Sequence, residues 1–342
     1  MKKQNLSRRN FMKAGLGIVA GSSVFAGQSF GEKYNKGVTL NPGMGHGGHQ
    51  TMPHQTRKAS AFKDDEMNPM KFLSAYDYGK VTQLPDGQVQ REYDIVAHEK
   101  EIEVAPGVKY PAWTYNGFVP GPTIRCTEGD KLKINFLNAS HMPHTIHLHG
   151  IHPAEMDGVF EIIPTGGRFT YEFTVDPFGL FLYHCHVMPV KKHIEKGLYG
   201  TFIVDPKTPR PPAKELVMVM NGFDTDFDGE NEFYTVNGYA NYFSDNPINI
   251  KVGELVRIYL VNMTEFDLLN SFHLHGNMFR LYRTGTDPKQ YEYTDTVMLC
   301  QGERCIIEFS YKYPGMYMFH AHQSEFAELG WMGFFNVLPE VA

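Results

Sequence analysis

Tyr183-His184-Cys185-His186-Val187-Met188-Pro189-Val190-Lys191-Lys192-His193-Ile194-Glu195-Lys196-Gly197-Leu198-Tyr199-Gly200 decides how the chain reads. On a β-strand successive side chains point to opposite faces, so His184 and His186 project to one side and Cys185 to the other. One strand of this kind serves two metal sites. A thiolate is a soft ligand suited to copper, and His193 follows closely enough to return to the same ion as Cys185. His184 and His186 are left for a second site behind it.

His144-Thr145-Ile146-His147-Leu148-His149-Gly150 repeats the logic. As a strand it sets His147 and His149 on one face and His144 on the other. His144 then joins Cys185 and His193, giving the Cys plus two His trigonal set of a blue-copper centre.

The chain also repeats itself. Tyr234-Thr235-Val236-Asn237-Gly238 echoes Thr114-Tyr115-Asn116-Gly117, and Phe272-His273-Leu274-His275-Gly276 echoes Ile146-His147-Leu148-His149-Gly150. Phe319-His320-Ala321-His322 echoes Tyr183-His184-Cys185-His186. So long a repeat implies two copies of one β-sandwich. Where the first copy has His144, Cys185, His193 and Leu198, the second has Asn270, Ala321, approximately Phe326, and Trp331. The inward ligands are gone from the second copy, but its outward pairs His273/His275 and His320/His322 remain.

Composition agrees. The 342 residues suit about two domains. They are 42% hydrophobic and 13% aromatic, with few stretches of helical period, which favours an all-β chain. Half-buried strands read directly in Lys131-Leu132-Lys133-Ile134-Asn135-Phe136 and in Thr170-Tyr171-Glu172-Phe173-Thr174-Val175. A net charge of −6 gives no general attraction to nucleic acid or anionic membrane. A Pro- and Lys-rich linker around Asp205 to Pro212 divides residues 71–208 from 209–342.

Ser7-Arg8-Arg9-Asn10-Phe11-Met12-Lys13 precedes an apolar run, Ala14 to Ala26, too short and Gly-rich to form a stable membrane span. Residues 1–31 resemble a twin-arginine signal, and a periplasmic or secreted bacterial protein is the expectation. Residues 32–70 form a flexible segment rich in His, Met and Gly, with too little apolar content to build a core.

The repeated His-Leu-His-Gly, the His-Cys-His followed by a further His, and the duplicated sandwich resemble the multicopper oxidases, specifically the two-domain laccase-like group. That resemblance covers about residues 90 to 338 and implies two tandem cupredoxin-like Greek-key β-sandwich domains. It implies a type 1 copper on His144, Cys185 and His193, with electrons passing through Cys185. It also implies a trinuclear cluster on His147, His149, His184, His186, His273, His275, His320 and His322. The cofactor is then copper, about four per chain: one type 1, one type 2 and a type 3 pair.

Further expectations hang on the same resemblance. Leu198 takes the axial position, where many relatives have Met, which implies a raised potential; Met188 is the runner-up. Asp295 and Asp157, each after a His-Leu-His-Gly strand, are the candidate proton donors, with Asp295 slightly preferred. Each sandwich offers only four outward histidines, so two must face each other, and a homotrimer with clusters between subunits is expected. The partners are dioxygen and a small reductant, phenolic or aromatic amine. A Cu(I), Fe(II) or Mn(II) oxidase in copper tolerance is the alternative. A copper nitrite reductase needs only three histidines at its catalytic copper and leaves five of the eight unexplained, and copper storage does not explain Cys185.

Smaller features read plainly. Asp224-x-Asp226-x-Asp228-Gly229 begins like a calcium loop but has Thr235 at its twelfth position, so a solvated loop is expected. Cys300 and Cys305 flank a turn where a cross-hairpin disulfide is conceivable. Cys126 reads as a small buried hydrophobe, and His98, His141 and His152 match no pair.

Overall fold

The computed structural model describes residues 68–339. The signal-like residues and nearly all of the His/Met-rich segment lie outside them.

The chain is all-β with four short α-helices and one 3-10 turn (Ala154–Met156) among the described residues. The first sandwich uses β1 (Tyr76–Asp77), β2 (Lys80–Gln83), β3 (Val89–Ala105), β4 (Val108–Tyr115), β5 (Gly121–Thr127), β6 (Lys131–Asn138), β7 (His147–Leu148), β8 (Arg168–Thr174), β9 (Gly179–His184) and β10 (Tyr199–Asp205). One sheet has the order β1-β5-β10-β9-β7; the other runs β2-β3-β6-β8, with β4 also paired to β3. Burial along β6 alternates at every residue, as its sequence period requires.

The second sandwich uses β11 (Lys214–Phe223), β12 (Phe233–Val236), β13 (Ile248–Lys251), β14 (Val256–Asn262), β15 (Leu269–Leu274), β16 (Phe279–Tyr282), β17 (Glu292–Thr294), β18 (Thr296–Cys300), β19 (Arg304–Phe309), β20 (Gly315–His320) and β21 (Met332–Leu338). Its sheets are β12-β11-β14-β19-β16-β17 and β13-β21-β20-β15-β18. The helices are α1 (Pro69–Phe72), α2 (Val190–Glu195), α3 (Tyr242–Asp245) and α4 (Ser324–Glu328).

The repeated Asn-Gly is a repeated turn. Asn116 and Asn237 both have φ 55°, and Gly117 and Gly238 both have φ 80°, the pair of left-handed residues a tight two-residue turn needs. Each Asn side chain also caps a neighbouring strand, Asn116 Oδ1 accepting from Val96 N and Asn237 Oδ1 from Val219 N.

Each sandwich encloses its own apolar core. A third cluster joins them: Leu180, Leu182, Tyr199 and Ile203 of the first meet Val217, Val219, Tyr259 and Val261 of the second. Full burial of such side chains stabilises by about 1.5–3 kcal/mol each. The sheet carrying Cys185 is thus held between two cores.

Two expectations are corrected. Cys300 and Cys305 are both free. They sit on β18 and β19, which belong to different sheets, so the turn between them crosses from one layer to the other; Cys305 enters the core while Cys300 faces solvent. Met188 is 77% exposed and cannot serve as an inward axial group.

Candidate metal centre

His144, Cys185 and His193 are all buried, and their donor atoms lie within 4.8 Å of one another. Cys185 Sγ is 3.2 Å from His193 Nδ1 and 3.8 Å from His144 Nδ1, and the two Nδ1 atoms are 3.1 Å apart. Strand parity delivers Cys185 from the end of β9, and α2 returns His193 to it. Leu198 is fully buried in the same apolar cluster as Cys185. Thr145 N donates to the sulfur at 3.4 Å.

A chain of neighbours sets the rings. Ser140 Oγ bonds His144 Nε2 at 2.8 Å and also donates to Glu99 Oε1 at 2.9 Å. The Trp113 ring lies 5.2 Å from that of His144 and 4.9 Å from that of His193. Neither Ser140 nor Trp113 is singled out by the sequence reading: Ser140 sits in the loop four residues before His144 and Trp113 on the remote strand β4, and neither carries a motif.

On the other face of β9, His147 opposes His184 across β7 and β9. The same register recurs in the second sandwich, where His273 opposes His320. His149 Nε2 is 3.2 Å from His184 Nε2, and His275 Nε2 is 2.9 Å from His320 Nε2. His186 and His322 complete the two sets, each with its ring 5.2 Å from that of His147 or His273. Backbone carbonyls fix the strand histidines identically: His147 Nδ1 donates to Asp157 O at 2.8 Å, and His273 Nδ1 to Asp295 O at 2.9 Å. That turns the Nε2 atoms to the open side.

Burial keeps His144, His149, His184 and His193 neutral, the form a metal needs. Desolvation lowers the pKa of His144, His184 and His193 to about 4 each. It lowers His149 to about 3, helped by the neighbouring His184 and His147. Neutral imidazoles around one thiol, with no carboxylate in the set, are the donors copper prefers.

The two candidate acids differ. Asp157 Oδ1 is 3.1 Å from His147 Nδ1 and 3.7 Å from His152 Nε2, whereas Asp295 Oδ1 accepts from Thr296 Oγ1 at 3.0 Å. His152, set aside on sequence, therefore belongs beside the histidine set: its Nε2 also donates to Leu148 O at 2.9 Å. Only its position a few residues past His-Leu-His-Gly could have signalled this.

Residues 96–209 match one family model described as multicopper oxidase, and residues 209–341 match a second. The chain belongs to the multicopper oxidase family. Members of this family are copper oxidoreductases. This chain is 32% identical to the copper-containing nitrite reductase of Neisseria meningitidis over 245 residues, 66% of this chain. The match spans 63% of that relative's length. A crystal structure of a multicopper oxidase superposes with TM-score 0.78 at 55% identity, covering 80% of this chain and 97% of that one. The copper nitrite reductase of Nitrosomonas europaea superposes with TM-score 0.68 at 28% identity, covering 73% and 94%.

Proposed function

We propose that this multicopper oxidase is laccase-like, taking single electrons from a phenolic or aromatic amine reductant near His193 and delivering them to dioxygen, which is reduced to water. The observation that carries this is the double use of β9. Cys185 joins His144 and His193 on one side, while its own backbone leads to His184 and His186 on the other. His184 Nδ1 donates to Cys185 O at 2.9 Å, so a hydrogen bond parallels the covalent path. Copper held by these donors, about four ions per chain, supplies the one-electron chemistry that couples the two ends.

The chain's own residues do the rest. Leu198 offers no ligand to the Cys185 site, which favours a raised potential. Asp157, within reach of His147 and His152, is the better placed proton donor, and Asp295 serves beside the second set. Among the described residues, every ligand-distance histidine group draws on one sandwich only. His275 and His322 stand exposed. We infer that a neighbouring copy's second sandwich covers the first sandwich's set, in a homotrimer exported through the twin-arginine machinery.

Oxygen uptake by copper-loaded protein supplied with dimethoxyphenol, abolished in Cys185→Ser, tests the reading. A copper nitrite reductase, the function that two of the similar proteins' names carry, would consume nitrite without oxygen uptake. Oxidation of Cu(I) but of no phenol would instead mark a metal oxidase.

A further inference from the structure

The outer face of α2, the helix that carries His193, lines an open cleft of about 750 Å³. Lys191, Lys192, Glu195 and Lys196 form one wall, and the second sandwich supplies the other through Asp224, Phe227 and Phe266. That volume falls within the range of small-molecule sites.

Both phenylalanines have left-handed backbones, Phe227 at φ 63° and Phe266 at φ 69°. Bulky residues rarely adopt that conformation, and at Phe227 the loop is held by Asp224, which accepts from Asp228 N and Gly229 N. Phe227 is 56% exposed, with Lys196 Nζ 4.0 Å from its ring centroid; Lys191 Nζ is 4.2 Å from that of Phe266. Each of the two aromatic faces thus stands beside one ammonium group.

Three carboxylates share the cleft, each accepting hydrogen bonds within the protein. Glu195 is buried and accepts the Tyr110 hydroxyl. Asp224 is buried and accepts from Asp228 N at 3.2 Å and Gly229 N at 2.8 Å. Asp228 Oδ1 accepts from Glu230 N at 3.0 Å. None of Lys191, Lys192 and Lys196 forms a salt bridge among the described residues. Three lysines and three carboxylates share the lining, so the cleft as a whole is near charge balance, with Lys191 and Lys192 adjacent on its α2 wall.

We propose that this cleft is the reductant site and that it selects a phenol bearing a carboxylate, its ring against Phe227 and Phe266 and its carboxylate on Lys191 and Lys192. The proposal rests on the oxidase reading above. Lys192 Nζ lies 5.6 Å from the ring centroid of Trp113, whose ring packs on His193, so Lys192 and Trp113 lie between a phenol held here and the Cys185 site. Each phenol loses one electron and its hydroxyl proton, becoming a phenoxyl radical. Four phenols supply the four electrons and four protons that turn one dioxygen into two waters.

The test compares syringate with its neutral methyl ester as reductants of the copper-loaded enzyme. In parallel, binding of methoxybenzoate and of its methyl ester, neither a phenol, is measured by calorimetry. The expected result is a preference for the carboxylate of about tenfold at low salt, in both kcat/KM and Kd. Added salt weakens it, and the Lys191→Gln/Lys192→Gln double variant abolishes it. A preference that is absent, or that survives in the double variant with its fold intact by circular dichroism, overturns the proposal. Lysine-dependent methoxybenzoate binding without oxidation of either phenol supports the anion cleft and sinks the phenol-oxidase reading instead. Oxidation of both phenols without preference does the reverse.

Discussion

Trp331 Nε1 donates to Asn270 Oδ1 at 3.1 Å, deep in the second sandwich, at the positions where the first has Leu198 and His144. The equivalence is set by backbone register. Cys185 N donates to Leu198 O at 3.0 Å as Ala321 N donates to Trp331 O at 3.1 Å. Leu198 N donates to His193 O as Trp331 N donates to Phe326 O. An indole and its amide partner therefore fill the place of a metal centre. Asn270→Ala would leave that buried N–H unpaired and cost about 1–3 kcal/mol. A lowered melting temperature is expected, with the visible absorption of the Cys185 site unchanged.

In the first sandwich Ser140 holds His144 through Nε2. Ser140→Ala frees the ring, and loss of such a support lowers metal affinity about 10- to 100-fold. Competitive titration of the blue band against a chelator reads this; an unchanged affinity would show that Trp113 packing alone orients the ring.

Metal-free protein carries a defined acid sensitivity. His144, His184 and His193 have folded pKa values of about 4 because burial disfavours their charged forms. In the unfolded chain they return to about 6.5. Above that value both states are neutral and stability is full. As pH falls from about 6.5 toward 4 the unfolded chain takes up protons that the folded chain refuses, and stability drops. Urea midpoints of apo protein measured between those limits should fall with pH. Copper-loaded protein should resist the fall until the ligands release metal.

Much of this was legible in the chain because parity on a strand is strict. The alternation of His184, Cys185 and His186, and the four His-x-His pairs, needed only a period of two. The substitutions Asn270, Ala321, Phe326 and Trp331 were readable because the repeat supplied an internal alignment. The fates of Cys300 and Cys305 were not, since nothing local says that β18 and β19 belong to different layers. Ser140 and Trp113 escaped notice, and His152 was set aside, for a related reason: each reaches its partner through tertiary packing or a loop, without a spacing rule.

The contrast between the two acids gives a further expectation. Asp157→Asn removes the carboxylate beside His147 and His152 and should lower kcat for oxygen reduction by about 10²- to 10⁴-fold while leaving copper content intact. Asp295→Asn, whose carboxylate is occupied by Thr296, should cost less. Equal losses would mean that neither acts alone.

The most direct measurement is copper content per chain, taken together with oxygen and nitrite consumption by the copper-loaded oligomer. About four coppers per chain with oxygen uptake and no nitrite turnover is the predicted result. About two coppers per chain with nitrite consumption and no oxygen uptake would contradict the account and leave the second sandwich's histidines without their assigned role.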